Sequence, residues 1–497
     1  MPTKAGDAPT RALQGLDRFV RARMKEWHVC GLSVGAVSNG GPVYLKGFGL
    51  RDVRRNLPVT SWTQFGIASA TKAFTATAAG ILVDEGKLDL DRPVREYLPD
   101  FRLKDPFASE RMTTRDLLCH RSGLPRHDMV WYKTPFTRHE LVGRLRHLEP
   151  TKDFRQAYQY QNLMFMTAGV VIEQISGVSW EKFVSRRILE PLGMEGANCS
   201  IEQLRHSSDH AVGHRWNGKR YVRIPHYVQG AVAPAGAVNA CAEAMCKWIA
   251  MNLNKGRYDG QRIISERMLA EIQSPQMAMP GVPAEPEMGP SAYGLGWSIS
   301  TYRGHLLAMH GGAIDGFRSH VALLPRDGHG VAVLSNFEAS GVPGGDNLCT
   351  VVAFNVLDRL LGLEPVPWVR RVRKAVRKRE AEKKAKKTPP QEPEAKPASR
   401  PLADYVGQYR HAAYGALNVT RSGNGLRADL HGMPFRLRHQ TGDAFRGRLL
   451  HYPTQFGFEF RVSEKQGVHS VLAMLDSEHK DLLIRFRRIA SPAARQA

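Results

Sequence analysis

A nearly continuous apolar stretch follows a short polar motif in the first fifth of the chain. Residues 65–83 read FGIASATKAFTATAAGILV, so small and apolar residues occupy every face of a helix that follows Ser69 and Lys72. A helix that is apolar all round is buried. The pattern predicts a central helix that begins near Ser69 and is enclosed by the rest of the fold.

Helical and strand periodicities occupy different parts of the chain. The pattern predicts helices over 10–27, over much of 136–190, and over 242–253, where Asn239 or a neighbour is expected to be the N-cap. It predicts strands over 32–37, 43–48, 295–299, 306–310, 319–324 and 330–335, the first two joined as a hairpin. Strands at both ends with helices between them indicate an α/β (α+β) fold, in which helices flank an antiparallel sheet and a helical lobe is inserted.

A basic segment then separates two regions of different character. Residues 368–400 hold thirteen Lys and Arg against four Glu. The first half of this segment is compatible with a solvated helix, whereas the proline-bearing residues 389–397 are not. Beyond it, short alternating apolar runs about ten residues apart predict a small antiparallel barrel, with strands over 416–419, 426–430, 435–437, 456–462, 468–475 and 482–486. We therefore expect a catalytic domain over 10–365, a Pro-containing linker over 366–400 and a β-domain over 401–490.

The formal net charge of +23 changes this picture little, because the linker holds much of it. No recognition helix, zinc-finger spacing or basic-aromatic motif accompanies the charge, so we expect no specific nucleic-acid partner. No apolar run approaches the ~20 residues of a membrane span, and the N-terminus lacks the apolar core of a signal peptide. Together with six scattered cysteines, these features favour a cytoplasmic protein with reduced thiols.

The Ser-x-x-Lys spacing places Ser69 and Lys72 one turn apart on the same helix face. A hydroxyl is a poor nucleophile at neutral pH, but a lysine amine kept neutral by burial can take its proton. The unpaired N–H groups at a helix start can also hold a developing oxyanion. One helix end would thus supply the nucleophile, the base and part of an oxyanion hole.

Three other serines match catalytic patterns and are read as structural. Ser179 precedes Trp, Glu and Lys and is typical of a helix N-cap. Ser477 lies in a polar stretch between two alternating runs, which is typical of a hairpin loop. Ser33 fits the Gly-x-Ser-x-Gly elbow, but that motif requires a helix after the serine, and here a hairpin follows.

Two further motifs can complete an acyl-transfer site. Tyr160 and Asn162 form the Tyr-x-Asn at the predicted start of a helix, where the phenol would share the Ser69 proton and the amide would orient Lys72. In His310-Gly311-Gly312, the imidazole would line the site and the glycines would let substrate approach the strand. The N–H of the next residue, Ala313, would then complete the oxyanion hole.

Metal and cofactor chemistry are not expected. His206, His210 and His214 are four residues apart and could bind zinc on one helix. However, Gly213 interrupts such a helix, and the sequence Ser-Ser-Asp before His210 favours a turn.

These segments resemble the superfamily of class C β-lactamases and penicillin-binding proteins. The resemblance covers about residues 10–362 and rests on FGIASATK around Ser69, LLCHRSGLP at 117–125, YQN at 160–162, PLGM at 191–194, YGLGW at 293–297 and HGG at 310–312. The trailing β-domain looks like the lipocalin-like domain of some peptidases of this group. The chain has no Lys-Thr-Gly, which favours the esterase, amidase and peptidase branch over β-lactamases.

The resemblance implies that Ser69 is the nucleophile and that Lys72 and Tyr160 transfer protons. It also implies that Asn162 orients groups and that His310 replaces the lysine of Lys-Thr-Gly. We expect a serine hydrolase that forms an acyl-enzyme on amide or ester bonds of peptides, D-configured ones included, or of small esters. The alternatives are a peptide cyclase, thioesterase or transpeptidase and, outside the enzymes, a non-catalytic sensor or scaffold. A homo-oligomer is compatible with the family.

The β-domain is expected to help bind substrate. Arg446 and Arg448, with His451 close by, are cationic groups suited to a substrate carboxylate.

Overall fold

The computed structural model describes residues 7–227, 230–283, 285–338, 345–385, 396–449, 455–476, 478–479 and 481–489. Its α-helices are α1 Asp7–Ala12, α2 Leu16–Glu26, α3 Thr71–Asp84, α4 Val94–Tyr97, α5 Pro106–Arg111, α6 Thr114–Leu118, α7 Asp128–Trp131, α8 Arg138–Arg144, α9 Asn162–Ser176, α10 Trp180–Val184, α11 Ile201–His206, α12 Ala233–Gly236, α13 Ala242–Leu253, α14 Glu266–Ile272, α15 Leu348–Leu360 and α16 Trp368–Ala385.

The strands of the catalytic region are β1 Gly31–Ser38, β2 Gly41–Asp52, β3 Leu57–Pro58, β4 Phe65–Gly66, β5 Gly213–Trp216, β6 Tyr221–Ile224, β7 Asn239–Ala240, β8 Arg257–Tyr258, β9 Gln261–Arg262, β10 Met277–Ala278, β11 Ala292–Tyr293, β12 Ser298–Tyr302, β13 His305–Ile314, β14 Phe317–Leu324, β15 His329–Ser335 and β16 Phe337–Glu338. The β-domain contains β17 Gly407–His411, β18 Gly415–Ser422, β19 Gly425–Leu430, β20 Met433–Thr441, β21 Ala444–Leu449, β22 Gln455–Ser463, β23 Gly467–Met474 and β24 Ile484–Arg488.

Nine of these strands form an antiparallel sheet in the order β10-β11-β12-β13-β14-β15-β1-β2-β3. The expected hairpin is present, and β1 also pairs with β15, so the two ends of the catalytic region meet in the centre of the sheet. One face packs against α2 and α15. The other face packs against α13, and α3 and α9 belong to the same hydrophobic cluster as this side of the sheet. The predicted fold class is confirmed.

The central helix α3 is buried along nearly its whole length, as its all-round apolar pattern predicts. Gly80 lets a neighbouring helix approach it closely, because a Cβ there would lie 2.7 Å from Ile264 Cδ1 and 2.9 Å from Met268 Cγ. Helix α3 therefore gives the residues at its N-terminus a rigid support.

Two local expectations need correction. Tyr160 does not start a helix: α9 begins at Asn162, and Gln161 caps it by accepting from Leu163 N. The strand expected at 295–299 begins at Ser298, because Gly296 has a φ of +75° and its backbone packs against the Lys72 carbonyl. The cap of α13 lies where it was expected: it is Cys241, a neighbour of Asn239, and Asn239 itself belongs to β7.

The β-domain is a closed eight-stranded barrel, which confirms the all-β prediction. Its interior is filled by buried aromatic and aliphatic side chains, and these belong to the same hydrophobic cluster as the core around α3. Helix α16 occupies the first half of the expected linker, while most of residues 389–397 lie outside the described residues.

Among the described residues, no single helix is long and apolar enough to cross a membrane. Helix α9 and the helical stretch Trp180–Leu189 together have that length and composition, but they meet at an angle of 76°.

Candidate active site

Ser69 lies in a 3₁₀ turn, Ala68–Ala70, directly before α3. Ala68 has a φ of +49°, a left-handed conformation that costs a non-glycine residue roughly 1–2 kcal/mol. A hydrogen bond from β14 stabilises the start of this turn, because Ser319 Oγ donates to Ile67 O at 2.7 Å. This strained turn presents the half-buried Ser69 side chain to a cleft.

Lys72 is fully buried on the first turn of α3. Its Nζ donates to Asn162 Oδ1 and to Ala235 O, both at 2.8 Å, and lies 3.2 Å from Ser69 Oγ. Burial, reinforced by the nearby charge of Arg126, lowers the pKa of Lys72 well below its usual range. A neutral amine has two N–H donors for the two carbonyl oxygens and keeps its lone pair for the Ser69 hydroxyl.

Tyr160 lies beside these two residues, with the Lys72 Nζ 4.8 Å from the centroid of its ring. Burial raises the pKa of the Tyr160 phenol, and the contact with the Ser69 hydroxyl and the charge of Arg126 act in the opposite direction. The phenol therefore stays protonated at neutral pH. It is placed to donate a proton near Ser69 while Lys72 accepts one.

Asn162 is oriented by an ion pair. Its Nδ2 donates to Asp128 Oδ1 at 3.3 Å, so its Oδ1 faces Lys72. Asp128 in turn pairs with Arg126 at 2.7 Å. Burial alone would lower the pKa of Arg126, but the charge of Asp128 more than offsets this effect, so the pKa of Arg126 is raised and the guanidinium stays charged. The contacts from Arg126 through Asp128 to Asn162 thus fix the position of the Lys72 amine.

Strand β13 forms the wall opposite Ser69. Its partner β12 pairs with it only as far as Met309, so β14 is the neighbouring strand for the residues from His310 to Ile314. Gly312 is required there, since a Cβ would lie 2.1 Å from Ile67 O. Gly311 and Ala313 are exposed, and Ala313 borders the same cleft as Ser69.

His310 does not line the cleft as expected. Its ring is buried, and its Nδ1 lies 2.6 Å from Gly311 O while its Nε2 lies 2.8 Å from the Tyr293 hydroxyl. Because a carbonyl only accepts, Nδ1 carries the proton and Tyr293 donates to Nε2. Burial lowers the pKa of His310 to about 3, so it is neutral and, unlike a lysine, supplies no charge to substrate.

The cleft encloses about 270 Å³, and the barrel contributes to its lining. Leu449, Phe456 and Leu475 of the barrel face Ser69 and Asn162 of the catalytic region across this space. Arg446 and Arg448 are not among the described residues that line it: they alternate with the buried positions of β21 and point outward. They lie in register with Arg438 and Arg436 of β20, and His451 lies outside the described residues.

Among the described residues that border the cleft, the cation is Arg126, and its partner Asp128 lies beside it. Neither residue could be predicted from the sequence, because nothing in their local pattern distinguishes them from surface charges. The only available signal was their position directly after the LLCHRSGLP segment.

Ser33 and Ser179 have structural roles. Ser33 lies within β1 and is fully buried, Ser179 caps α10, and Ser477 lies outside the described residues. His206 ends α11 and His214 belongs to β5, so the three histidines do not share a helix. No group of metal-ligating side chains occurs in the part of the chain that the structure describes.

Comparison with known proteins agrees with this geometry. The family described as Beta-lactamase matches residues 16–348, and a domain of unknown function (DUF3471) matches residues 391–488. The unguisins hydrolase ungD' of Aspergillus campestris is 31% identical over 84% of this chain and 80% of its own length. The octameric penicillin-binding protein homologue from Pyrococcus abyssi has a TM-score of 0.64 at 25% identity and covers 96% of this chain and 100% of its own.

A second solved structure, that of SurE, has a TM-score of 0.58 at 20% identity, with 98% and 100% of the two chains covered, and it supports the fold alone. The fold, the site and these relatives define a serine hydrolase. The chain belongs to the β-lactamase family.

Proposed function

We propose that Ser69 forms an acyl-enzyme with the carbonyl carbon of an amide or ester. The observation that carries this proposal is the buried Lys72 amine, held by two carbonyl oxygens with its nitrogen 3.2 Å from Ser69 Oγ. In the first step the Ser69 proton passes to Lys72 while Oγ attacks the carbonyl carbon. Tyr160 then passes a proton to the leaving amine or alcohol as its bond to carbon breaks.

The oxyanion of the tetrahedral intermediate is assigned to the N–H groups of Ser69 and Ala313. Two observations support this. Both residues border the cleft, and β12 ends its pairing with β13 before His310. Preorganised N–H donors of this kind are typically worth ~10²–10³ in rate each.

For the substrate we propose a peptide or small ester with a carboxylate near the scissile bond. The relative named unguisins hydrolase supports hydrolysis, and Arg126 at the cleft is the charge that would hold a carboxylate. Replacing Arg126 with Gln should lower kcat/KM for acidic substrates about 10- to 100-fold more than for their methyl esters.

Arg446 and Arg448 provide the matched control for this experiment, because both are exposed on the outer face of β21. The structure leads us to expect the same ratio of acid to methyl ester turnover in the double variant R446Q/R448Q as in the unchanged protein. A fall of that ratio to the R126Q value would restore the sequence-based assignment of these two arginines.

Transfer of the acyl group to an amine, as in a transpeptidase or cyclase, remains the second candidate, since it shares the first half-reaction. A panel of esters, D-peptides and penicillins, incubated with and without an added amino acid amide, separates the two. Hydrolysis predicts the free acid in both conditions, and aminolysis predicts the amide. A protein that turns over none of these compounds while Ser69 is acylated would be a sensor.

Assembly is a separate proposal. The Pyrococcus abyssi homologue is described as octameric, and we propose that this chain also forms a homo-oligomer. Light scattering of the purified chain tests it.

A further inference from the structure

A second cavity lies directly beside the catalytic cleft and encloses about 200 Å³. The two spaces share the residues Tyr227, Gly236, Ile314 and Asp315 in their linings. This shared wall adjoins the catalytic groups, because Gly236 follows Ala235, which accepts from Lys72, and Ile314 follows Ala313. The second cavity therefore begins one residue away from two groups that the proposed reaction uses.

The shared wall is held in place by hydrogen bonds. The Tyr227 hydroxyl donates to Trp131 O at 3.0 Å and accepts from Lys133 N at 2.7 Å. Asp315 accepts from the Tyr132 hydroxyl at 2.5 Å. Because these contacts fix the wall, the second cavity is a preformed space, which is typical of ligand sites.

The lining of the second cavity is mainly apolar, with Leu204, Ile201, Ala233, Ala237 and Phe317 among its members. Its two glutamates are already engaged: Glu181 pairs with Arg138 at 2.5 Å, and Glu202 accepts from Ser200 Oγ at 2.6 Å. What the space offers a ligand is mainly apolar surface, beside the buried His226 Nε2, for which the described residues supply no hydrogen-bond partner. Its size suits an aromatic ring, since an apolar cavity of about 150 Å³ holds benzene.

We infer that this cavity is the subsite for an apolar side chain, of the size of an aromatic ring, on one side of the scissile bond. The inference rests on the proposed acyl-enzyme function and adds a substrate class to it: peptides or esters with an aromatic residue next to the bond that is cut.

Gly66 offers a direct way to fill the cavity. It lies in β4 three residues before Ser69 and borders the second cavity but not the catalytic cleft. A Cβ built on Gly66 would have Asn239 Oδ1 at 3.6 Å and Phe317 Cδ2 at 3.9 Å as its nearest neighbours. Both belong to the cavity lining, so Ala at this position fits the backbone and enters the space, and the larger Val side chain starts from the same Cβ and fills more of it.

The test measures kcat/KM for two substrate series on the full chain. In the first, the acyl side chain changes from methyl to isobutyl to benzyl with a constant leaving group. In the second, the leaving alcohol changes in the same way with a constant acyl group. Full burial of a phenyl-sized group predicts a rise of about 10- to 100-fold from methyl to benzyl in one of the two series.

Variant G66V should reduce that benzyl-to-methyl ratio to within about threefold, and G66A should give an intermediate ratio. G143V is the matched control, because Gly143 is exposed on α8 and a Cβ there would meet no atom within 4 Å, and it should keep the ratio of the unchanged protein. If G66V is recovered unfolded, the ratio in G66A decides.

Two results would overturn this inference while leaving the proposed function intact, provided that a small alkylphosphonate still labels Ser69. One is the absence of a benzyl preference in either series, and the other is a preference that survives in both Gly66 variants. Absence of labelling at Ser69 would instead refute the proposed function, and the inference with it.

Discussion

The loop that carries Arg126 and Asp128 is held by the barrel, which predicts that a substitution in the barrel lowers activity. Asp476 Oδ2 accepts from the backbone N–H of His127 at 3.0 Å. The Tyr414 hydroxyl lies 2.7 Å from His127 Nδ1, and His127 has a φ of +48° between the two cleft residues. Both partners of His127 in these two contacts come from the barrel.

Asp476→Asn is the sharpest perturbation of this junction. Oδ1 of Asp476 accepts from Glu478 N and His479 N, both at 2.9 Å, and an asparagine oxygen can keep those bonds. Its Nδ2 would then face the His127 N–H, which is buried and loses its acceptor. Leaving one such group unpaired costs roughly 1–3 kcal/mol.

The activity should fall as well, because Asp128 orients Asn162 and Asn162 orients Lys72. A displacement of about 1 Å in a positioning group can cost up to ~10² in rate. We expect D476N to lower kcat/KM for a small ester about 10- to 100-fold.

The assay is ester hydrolysis together with the thermal midpoint of unfolding, measured for D476N and for Tyr414→Phe. A lower midpoint with kcat/KM within twofold of the unchanged protein would show that the junction only joins the domains, and would refute the positioning argument. Point variants are preferable to a chain ending near residue 365, because the hydrophobic cluster around α3 continues into the barrel.

Two further predictions concern the buried side chains around Ser69. Lys72→Ala and Tyr160→Phe should each lower kcat about 10²–10⁴-fold and combine less than additively, and strict additivity would contradict a shared proton. In the unchanged protein, kcat/KM should rise with pH through the lowered pKa of Lys72, because only the neutral amine accepts the Ser69 proton. His310→Phe should cost about 1–3 kcal/mol of stability by leaving the buried Tyr293 hydroxyl without its acceptor, and the double variant with Tyr293→Phe should recover most of it in denaturant unfolding; no recovery would show that His310 acts through another contact.

Local pattern was sufficient for the parts of the fold that are strongly periodic. The all-round apolar stretch after Ser69 predicts α3, and alternation predicts most strands of the sheet and barrel. Strands β17 and β21 of the barrel were missed. Only one side chain of β17, Tyr409, is fully buried, and in β21 Gly447 and two arginines interrupt the alternation of apolar residues. Alternation in such short segments is too weak to be recognised before their neighbours are known.

The site was predictable as far as it is local. Ser69 and Lys72 are one turn apart, and Asn162 was assigned to the Lys72 side of the site, where it lies. Arg126 and Asp128 were missed because their roles depend on partners far along the chain, and the His127 N–H finds its acceptor 349 residues away. Similarly, the neutral state of His310 follows from burial beside Tyr293, which no motif shows.

Intact-protein mass spectrometry after incubation with an alkylphosphonate p-nitrophenyl ester decides whether Ser69 is the nucleophile. We expect one adduct, located by peptide mapping on Ser69, absent in Ser69→Ala and present in Ser33→Ala, with esterase activity falling about 10⁶-fold only in the former. An adduct that persists in Ser69→Ala, or ester hydrolysis there near the rate of the unchanged protein, would show that Ser69 is not the nucleophile.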